Sequence, residues 1–116
     1  MNTYQYNDFR IEVFDDQTFT LDSADNKNSY LHHYFGDHAK DFPILKHGIN
    51  VYKEEEIIVS CIVISSAGAT GIHENSSLLC NDRLLVCCCD TVFCLALPQI
   101  HLNWHVRCDM ATCFQI

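Results

Sequence analysis

The chain has 116 residues, 48% of them hydrophobic, and a formal net charge of −8 at pH 7. This length predicts a single domain spanning residues 1–116, and the composition excludes a chain that is disordered throughout. Residues 1–56 carry eleven acids and five bases, whereas residues 57–116 carry four acids and two bases. No basic patch results, so binding to nucleic acid or to anionic lipid is not expected.

The first predicted element in chain order is a hairpin over residues 4–22, with a turn at Asp15-Asp16. Apolar residues alternate with charged ones along its first strand: Phe9, Ile11 and Val13. Such alternation is typical of a half-buried strand. Residues 22–29 are polar and rich in turn-forming types, and they predict a loop.

The segment after this loop is ambiguous. Ser29 is placed to cap a short helix over residues 30–34, and Gly36 is placed to end it. Four side chains suited to metal binding or acid–base chemistry cluster here: His32, His33, Asp37 and His38. The preferred interpretation is a partly exposed loop cluster without a role, and a site is the alternative.

The middle of the chain returns to β patterning. Residues 49–51 predict a strand, and Ile57 to Ile64 is a nearly continuous β-branched run that predicts a buried strand. Residues 65–71 are small and predict a loop, after which residues 72–79 can pair back toward a turn at Asn81-Asp82.

The last third of the chain has the strongest pattern. The run Leu84–Cys89 meets Val92–Leu97 across Asp90-Thr91, and a third strand follows in which Leu102, Trp104 and Val106 alternate with polar residues. Trp104 is therefore expected in the core. With eight or nine strands and at most one or two short helices, the fold class is mostly β: an antiparallel meander forming a small sandwich or a partly open barrel.

Residues 82–97, followed by Leu102-Asn103-Trp104, resemble one blade of a quinoprotein-like β-propeller. Such blades run strand, turn, strand, and then a Trp that closes the blade. Glycine is missing at the usual turn positions, where Leu97-Pro98 and Ile100 stand instead. A propeller needs at least four blades, so the resemblance implies local meander geometry and no quinone or metal chemistry. Residues 70–116 also resemble the front part of longer uncharacterised bacterial proteins, and this resemblance implies no function.

Six of the eight cysteines lie in the last third of the chain, and none forms the Cys-x2-Cys pair of a structural zinc site. A two-residue turn at Asp90-Thr91 would place Cys87 opposite Cys94, which allows a disulfide or half a metal site. Thiols packed in the core are the preferred interpretation. A metal- or redox-dependent site using Cys87, Cys89 and Cys94 is the alternative.

Other constellations are weaker. On a strand, His101 and His105 stand roughly 13 Å apart, too far for one ion, and are expected to face solvent. The residue types needed for nucleophilic catalysis also occur near one another in the last part of the chain: His105, Cys108, Asp109 and Cys113. Because this segment is rich in cysteine, such a combination is expected by chance. Residues 67–71 lack the ending of a phosphate loop. No catalytic, cofactor-binding or metal residue is assigned, and no cofactor is expected.

The expected cellular location rests on two features that the sequence does not contain. Its start has no secretory signal pattern, and the apolar run at residues 57–64 is too short to span a bilayer. We therefore expect a cytoplasmic protein without membrane contact, whose cysteines are mostly reduced.

The leading functional hypothesis is a non-catalytic interaction module whose acidic front half faces a basic protein partner, as in immunity- or antitoxin-type proteins. Residues 112–116 alternate in the manner of a strand and lack the usual edge protection. A homo-oligomer through this edge strand is expected. A different partner, a missing downstream segment or an inner strand are the alternatives.

Overall fold

The computed structural model of the protein describes residues 1–20, 26, 28–66, 77–88 and 91–107. Within these ranges the chain forms strands and no helix. The strands, in chain order, are β1 (Asn2–Tyr6), β2 (Phe9–Asp15), β3 (His32–Phe35), β4 (Leu45–Lys53), β5 (Glu56–Ser65), β6 (Ser77–Cys80), β7 (Arg83–Cys88), β8 (Thr91–Ala96) and β9 (His101–Arg107). The prediction of a mostly β fold is confirmed.

The strands form two open sheets. The first has the order β1-β2-β4-β5-β3 and the second the order β6-β7-β8-β9. All neighbours are antiparallel except β3, which pairs in parallel with β5. Neither sheet closes on itself, so the described chain is a small sandwich rather than a barrel.

The main apolar core lies between the two sheets. Side chains alternate across a strand, so β2, β4 and β5 on one side and β7 and β8 on the other each contribute one face. Its largest fully buried members include Ile11, Ile49, Leu84, Phe93 and Leu95. Full burial of one such side chain contributes about 1.5–3 kcal/mol, and this packing holds the sheets together.

A second apolar cluster covers the opposite face of the first sheet. Its buried members are Phe19, Tyr30, Ala39, Ile62 and Ile64. Gly48 of β4 lies beneath it, and a Cβ at that position would come within 2.5 Å of the Tyr30 hydroxyl and 2.7 Å of Phe14 Cζ. Glycine is therefore needed for the two rings to approach the strand.

The first hairpin turns earlier than predicted. β1 and β2 pair across Asn7-Asp8, where Asn7 has a φ of 52°. Asp15 still belongs to β2, and the buried Asp16 accepts a hydrogen bond from the Tyr30 hydroxyl at 2.5 Å. The hairpin therefore turns at Asn7-Asp8, where asparagine tolerates the left-handed conformation, and the prediction of its turn at Asp15-Asp16 is wrong. A separate turn follows β2 and runs from Asp16 to Phe19, whose N–H donates to the Asp16 carbonyl at 3.2 Å.

The short helix predicted over residues 30–34 is also wrong. β3 occupies most of this segment and pairs in parallel with Cys61–Ile64 of β5. Pairing with a long apolar strand prevails, since a helix of one turn has little stability of its own. The predicted role of Gly36 as a helix end is wrong with it: this residue follows β3 and donates its N–H to the carbonyl of Ile64 at 2.8 Å.

The second sheet is a simple meander. β6 and β7 are joined at Asn81-Asp82, as predicted. Residues 82–104, the part that resembles a propeller blade, lie in the consecutive antiparallel strands β7, β8 and β9. The resemblance to that family stays a prediction.

Several predicted features lie outside the described residues. They are most of the loop at 22–29, the loop at 67–71, the first part of the segment at 72–79, the strand at 112–116, and Cys89, Cys108, Asp109 and Cys113.

Candidate functional site

The described cysteines do not pair as predicted. Cys87 of β7 lies opposite Val92, and Cys94 of β8 lies opposite Leu85. The two thiols are diagonal neighbours because Thr91 already pairs with the end of β7, so the predicted pairing of Cys87 with Cys94 is wrong. Among the described residues, no group of three His, Cys, Asp or Glu side chains is placed to hold a metal ion.

Most of the described cysteines are buried. Cys80 is exposed, whereas four are buried: Cys61, Cys87, Cys88 and Cys94. The Cys88 thiol donates to the carbonyl of Leu45 at 3.4 Å and lies 3.6 Å from Ser65 Oγ. Burial raises the pKa of the Cys61 thiol and so keeps it protonated. The prediction of core thiols is confirmed for Cys61 and Cys88, which belong to the main core. Cys87 and Cys94 are buried but lie outside that core cluster.

The predicted histidine cluster is divided. His32 stacks on Tyr34, with ring centroids 5.8 Å apart and planes 14° apart. His33, the next residue of β3, packs edge-on against Phe19 at 5.5 Å. His38 is exposed in the turn that follows, with a φ of 64°. These side chains have different neighbours and do not form one site.

The histidines of β9 instead approach side chains of the first half of the chain. The ring of His101 lies 5.8 Å from that of His32, and Nε2 of His105 lies 3.7 Å from Oδ1 of Asp37. Both were predicted to face solvent, and both are exposed. No sequence signal pairs them with their neighbours, because these residues meet only when the sheets stack.

Trp104 is not the predicted core aromatic, since 45% of its surface is exposed. The register between β8 and β9 shifts: Cys94 lies opposite Trp104, and Leu95 lies opposite Leu102. The bulge makes Asn103 an extra residue, which places Leu102 and Trp104 on opposite faces. Leu102 therefore packs against the core, and the tryptophan lines a cavity of about 390 Å³ on the outer face.

His47 carried no sequence signal, yet it is fully buried in β4. Its Nδ1 lies 2.9 Å from Oδ1 of Asp15, the residue opposite it on β2. A carboxylate in this position fixes the orientation of the imidazole. Because the His47 side chain has no exposed surface, we assign the pair a structural role in joining β2 to β4.

The β4–β5 hairpin ends in three consecutive glutamates, Glu54, Glu55 and Glu56, which we call the acidic turn. Glu54 has a φ of 56°, a left-handed conformation that costs a residue with a side chain roughly 1–2 kcal/mol. The side chain of Glu55 is 91% exposed and lies 3.8 Å from Arg10. Asp8, from the neighbouring turn, lines a depression of about 190 Å³ together with Glu54 and Glu55.

Three exposed apolar side chains follow the acidic turn or lie beside it: Leu31, Ile57 and Ile58. They are 68%, 53% and 46% exposed, respectively. We call these three residues the isoleucine patch. The register of β5 against β4 shifts here, which leaves Ile58 as an extra residue. Such a bulge bends the strand and redirects its side chains. The predicted burial of residues 57–64 is therefore wrong at the first two positions and confirmed from Ser60 onward.

A cavity of about 540 Å³, which we call the mouth cavity, opens between the two sheets beside the isoleucine patch. Phe9 and Val59 from the first sheet and Pro98 from the turn before β9 line its apolar part. Its polar side chains are Lys53, Gln99, His32 and His101. The cavity has the size of a small-molecule site.

No protein-family model, curated protein or solved structure matches the chain. Its function is therefore argued from its own geometry. Among the described residues there is no helix of the length and apolarity needed to cross a membrane.

Proposed function

We propose that the protein is a non-catalytic protein-binding module whose partner presents a basic surface with apolar side chains. The observation that carries this proposal is the direct succession of the acidic turn and the isoleucine patch along one strand. Glu54, Glu55 and Glu56 are exposed, and Ile57 and Ile58 follow them without a break. The partner would dock on this end of the first sheet.

Charge supports a basic partner. Asp8 adds a fourth exposed carboxylate to the acidic turn, and the side chain of Arg10, which packs over Tyr52 at 4.4 Å, offsets only part of this charge. The whole chain carries −8. Complementary charge steers a partner of opposite sign and acts over a Debye length of about 8–10 Å at physiological salt.

The exposed apolar side chains support the binding of a protein partner, rather than an acidic surface that serves only to keep the protein soluble. Single exposed apolar residues are ordinary, but Leu31 and Ile58 line the same cavity, and Ile57 is the next residue along the strand. Apolar side chains with a charged border are typical of a protein interface. A purely solvated acidic surface needs no such group.

The backbone of the acidic turn supports the same interpretation. The turns at Asn7-Asp8 and Asn81-Asp82 use asparagine in the left-handed position, with φ values of 52° and 55°. The acidic turn uses Glu54 there, although asparagine and glycine are better suited. Local strain of this kind clusters at functional positions, so we propose that the carboxylate is kept for binding.

The alternative, a metal- or redox-dependent protein, has less support. Cys87 and Cys94 are buried and do not face each other in the register. Reduced thiols such as Cys61 fit a reducing compartment, so we place the module and its partner in the cytoplasm as part of this proposal. A second copy of the chain is the weaker candidate partner for this surface, because it too carries −8.

The test is a selection from a random peptide library displayed on phage, against the purified protein. We expect enrichment of peptides that combine Lys or Arg with large apolar residues. The same selection is run against Glu54→Lys/Glu55→Lys and against the matched variant Asp41→Lys/Asp82→Lys, which makes the same charge change at two other exposed positions.

The basic peptides should bind the matched variant as they bind the parent. They should lose at least about tenfold in affinity, roughly 1.4 kcal/mol, on the acidic-turn variant. Equal binding to both variants, or no enrichment of basic peptides, would refute the proposal. Sedimentation showing a dimer that the acidic-turn variant abolishes would assign the surface to a second copy instead.

A further inference from the structure

The mouth cavity has a lining whose charge is opposite to that of the chain. Its polar side chains are an ammonium, an amide and two imidazoles, from Lys53, Gln99, His32 and His101. Among the described residues, no carboxylate lines it. Side chains of these types are able to donate hydrogen bonds to an anion, and the lysine carries a positive charge.

The two imidazoles are held at a fixed place. His32 stacks on Tyr34, and the Tyr34 hydroxyl donates to the carbonyl of Ile100 at 3.0 Å. This hydrogen bond joins β3 to the residue that precedes His101. The pair of rings, 5.8 Å apart, is therefore positioned by a contact between the two sheets.

The remaining lining is apolar. Phe9 lies beneath Lys53, whose Nζ is 5.9 Å from the ring centroid, and Val59 and Pro98 continue this surface. Ligand sites are mostly apolar concavities of about 300–1,000 Å³ with a few polar groups that fix orientation. The mouth cavity combines these features.

We propose that the mouth cavity binds a small carboxylic acid with an apolar body, with the carboxylate toward Lys53 and the imidazoles and the body toward Phe9 and Val59. The acidic turn lies beside this site and does not line it, whereas Leu31 and Ile58 belong both to the cavity lining and to the isoleucine patch. The site goes beyond the proposed protein-binding function, because a small anion and a basic protein have opposite charge preferences.

The test is a titration of ¹⁵N-labelled protein with three ligands of equal chain length: decanoate, decanol and decylamine. Decanoate should shift the amide signals of residues that line the cavity, with an affinity at least about tenfold above that of decanol. Decylamine should bind more weakly than either. Tighter binding of decylamine, or equal binding of all three, would overturn the proposal.

Two lysine variants test whether the ammonium group of Lys53 binds the carboxylate of decanoate. Lys53→Met keeps the apolar stem and should weaken decanoate binding about tenfold while leaving decanol unchanged. Lys40→Met removes an exposed lysine that packs over Phe35 and should change neither. Decanoate affinity that is the same in parent and Lys53→Met would overturn the assignment.

A second measurement separates this site from the protein-binding surface. Glu54→Lys/Glu55→Lys should lose its affinity for basic peptides. It should bind decanoate at least as tightly as the parent, because the change replaces two carboxylates next to Lys53 with two cations. If decanoate fails to bind and basic peptides still bind, this inference fails alone.

Discussion

The imidazole of His32 and the imidazole of His101 lie 5.8 Å apart, although the two residues belong to different sheets. Their approach defines one wall of the mouth cavity and depends on how the sheets stack. The acidic turn and the isoleucine patch lie at the same end of the sandwich. Both proposed binding surfaces thus lie at the end of the first sheet that carries the β4–β5 turn.

Replacing Glu54 with asparagine is expected to stabilise the fold. Asparagine tolerates the left-handed φ of 56° at this position better than glutamate does, and relief of part of the strain should add roughly 1 kcal/mol to the free energy of unfolding. Urea unfolding of the parent and of Glu54→Asn measures the change. Glu55→Asn is the control and should not stabilise, since Glu55 has no left-handed backbone; equal effects of the two changes would contradict the account.

Trp104→Ala is expected to cost only about 1 kcal/mol of stability, the ordinary effect of a single substitution. The reason is that 45% of the tryptophan is exposed on the outer face of the second sheet. Phe93→Ala, which truncates a fully buried ring in the neighbouring strand, should cost about 3–5 kcal/mol. Equal losses in the two variants, measured by chemical unfolding, would mean that Trp104 is buried after all.

Cys80 is expected to be the fastest of the described thiols to react with a soluble disulfide reagent, because it is exposed at the end of β6. Cys61, Cys87, Cys88 and Cys94 are buried and should react only on unfolding. Mass spectrometry of the labelled, digested protein identifies the modified positions. Rapid native labelling of Cys61 would show that the space between the sheets is open to solvent.

Raising the pH above about 9 is expected to destabilise the protein through Cys61. Burial raises the pKa of this thiol above its ordinary value of 9.0, so the unfolded chain loses the proton first as the pH rises. The stabilising contribution is fully present below pH 9 and is lost above it, by up to about 1.4 kcal/mol per pH unit. Urea unfolding between pH 7 and pH 10.5 measures the slope.

The matched variants for this experiment are Cys61→Ala and Cys80→Ala. The first removes the buried thiol, so its stability should fall less steeply with pH than that of the parent. The second removes an exposed thiol and should leave the slope as it is. Parallel curves for the parent and Cys61→Ala would contradict the assignment.

The fold could largely be predicted because period-two alternation survives in the sequence wherever one face of a strand meets a core. The strand around Ile11 follows it, whereas the strands around Leu84 and Phe93 are marked by continuous apolar runs. Prediction of which face a side chain occupies failed where a single extra residue shifts the register between two strands. Asn103 and Ile58 each add one residue to a strand, and nothing in the alternation marks which residue becomes the bulge, so Trp104 was assigned to the wrong face.

Turns were predictable only where the residue type matches the backbone. Asn81 occupies a left-handed position and marks its turn. Ile100 has a φ of 50° and is fully buried, although a β-branched side chain is poorly suited to that conformation. The sequence has no glycine at this position, so it gives no signal for the left-handed conformation. The burial that stabilises Ile100 there depends on tertiary packing.

The candidate site could be predicted only in its charge. The acidic front half of the chain indicated a basic partner, whereas the exposure of Ile57 and Ile58 and the approach of His32 to His101 had no local signal. The first arises from a bulge in the β4–β5 hairpin, and the second arises from the stacking of the two sheets. The prediction that Cys87 faces Cys94 was wrong, because it assumed a two-residue turn at Asp90-Thr91. In the observed register of β7 and β8, Cys87 lies opposite Val92 instead.

The most direct test of the protein-binding proposal is to map where a selected basic peptide binds, by chemical-shift changes in the ¹⁵N-labelled protein. We expect the largest changes at residues 54–58 and at Leu31, and their loss in Glu54→Lys/Glu55→Lys. Changes centred instead on Trp104 and Cys80, on the outer face of the second sheet, would contradict the proposed surface.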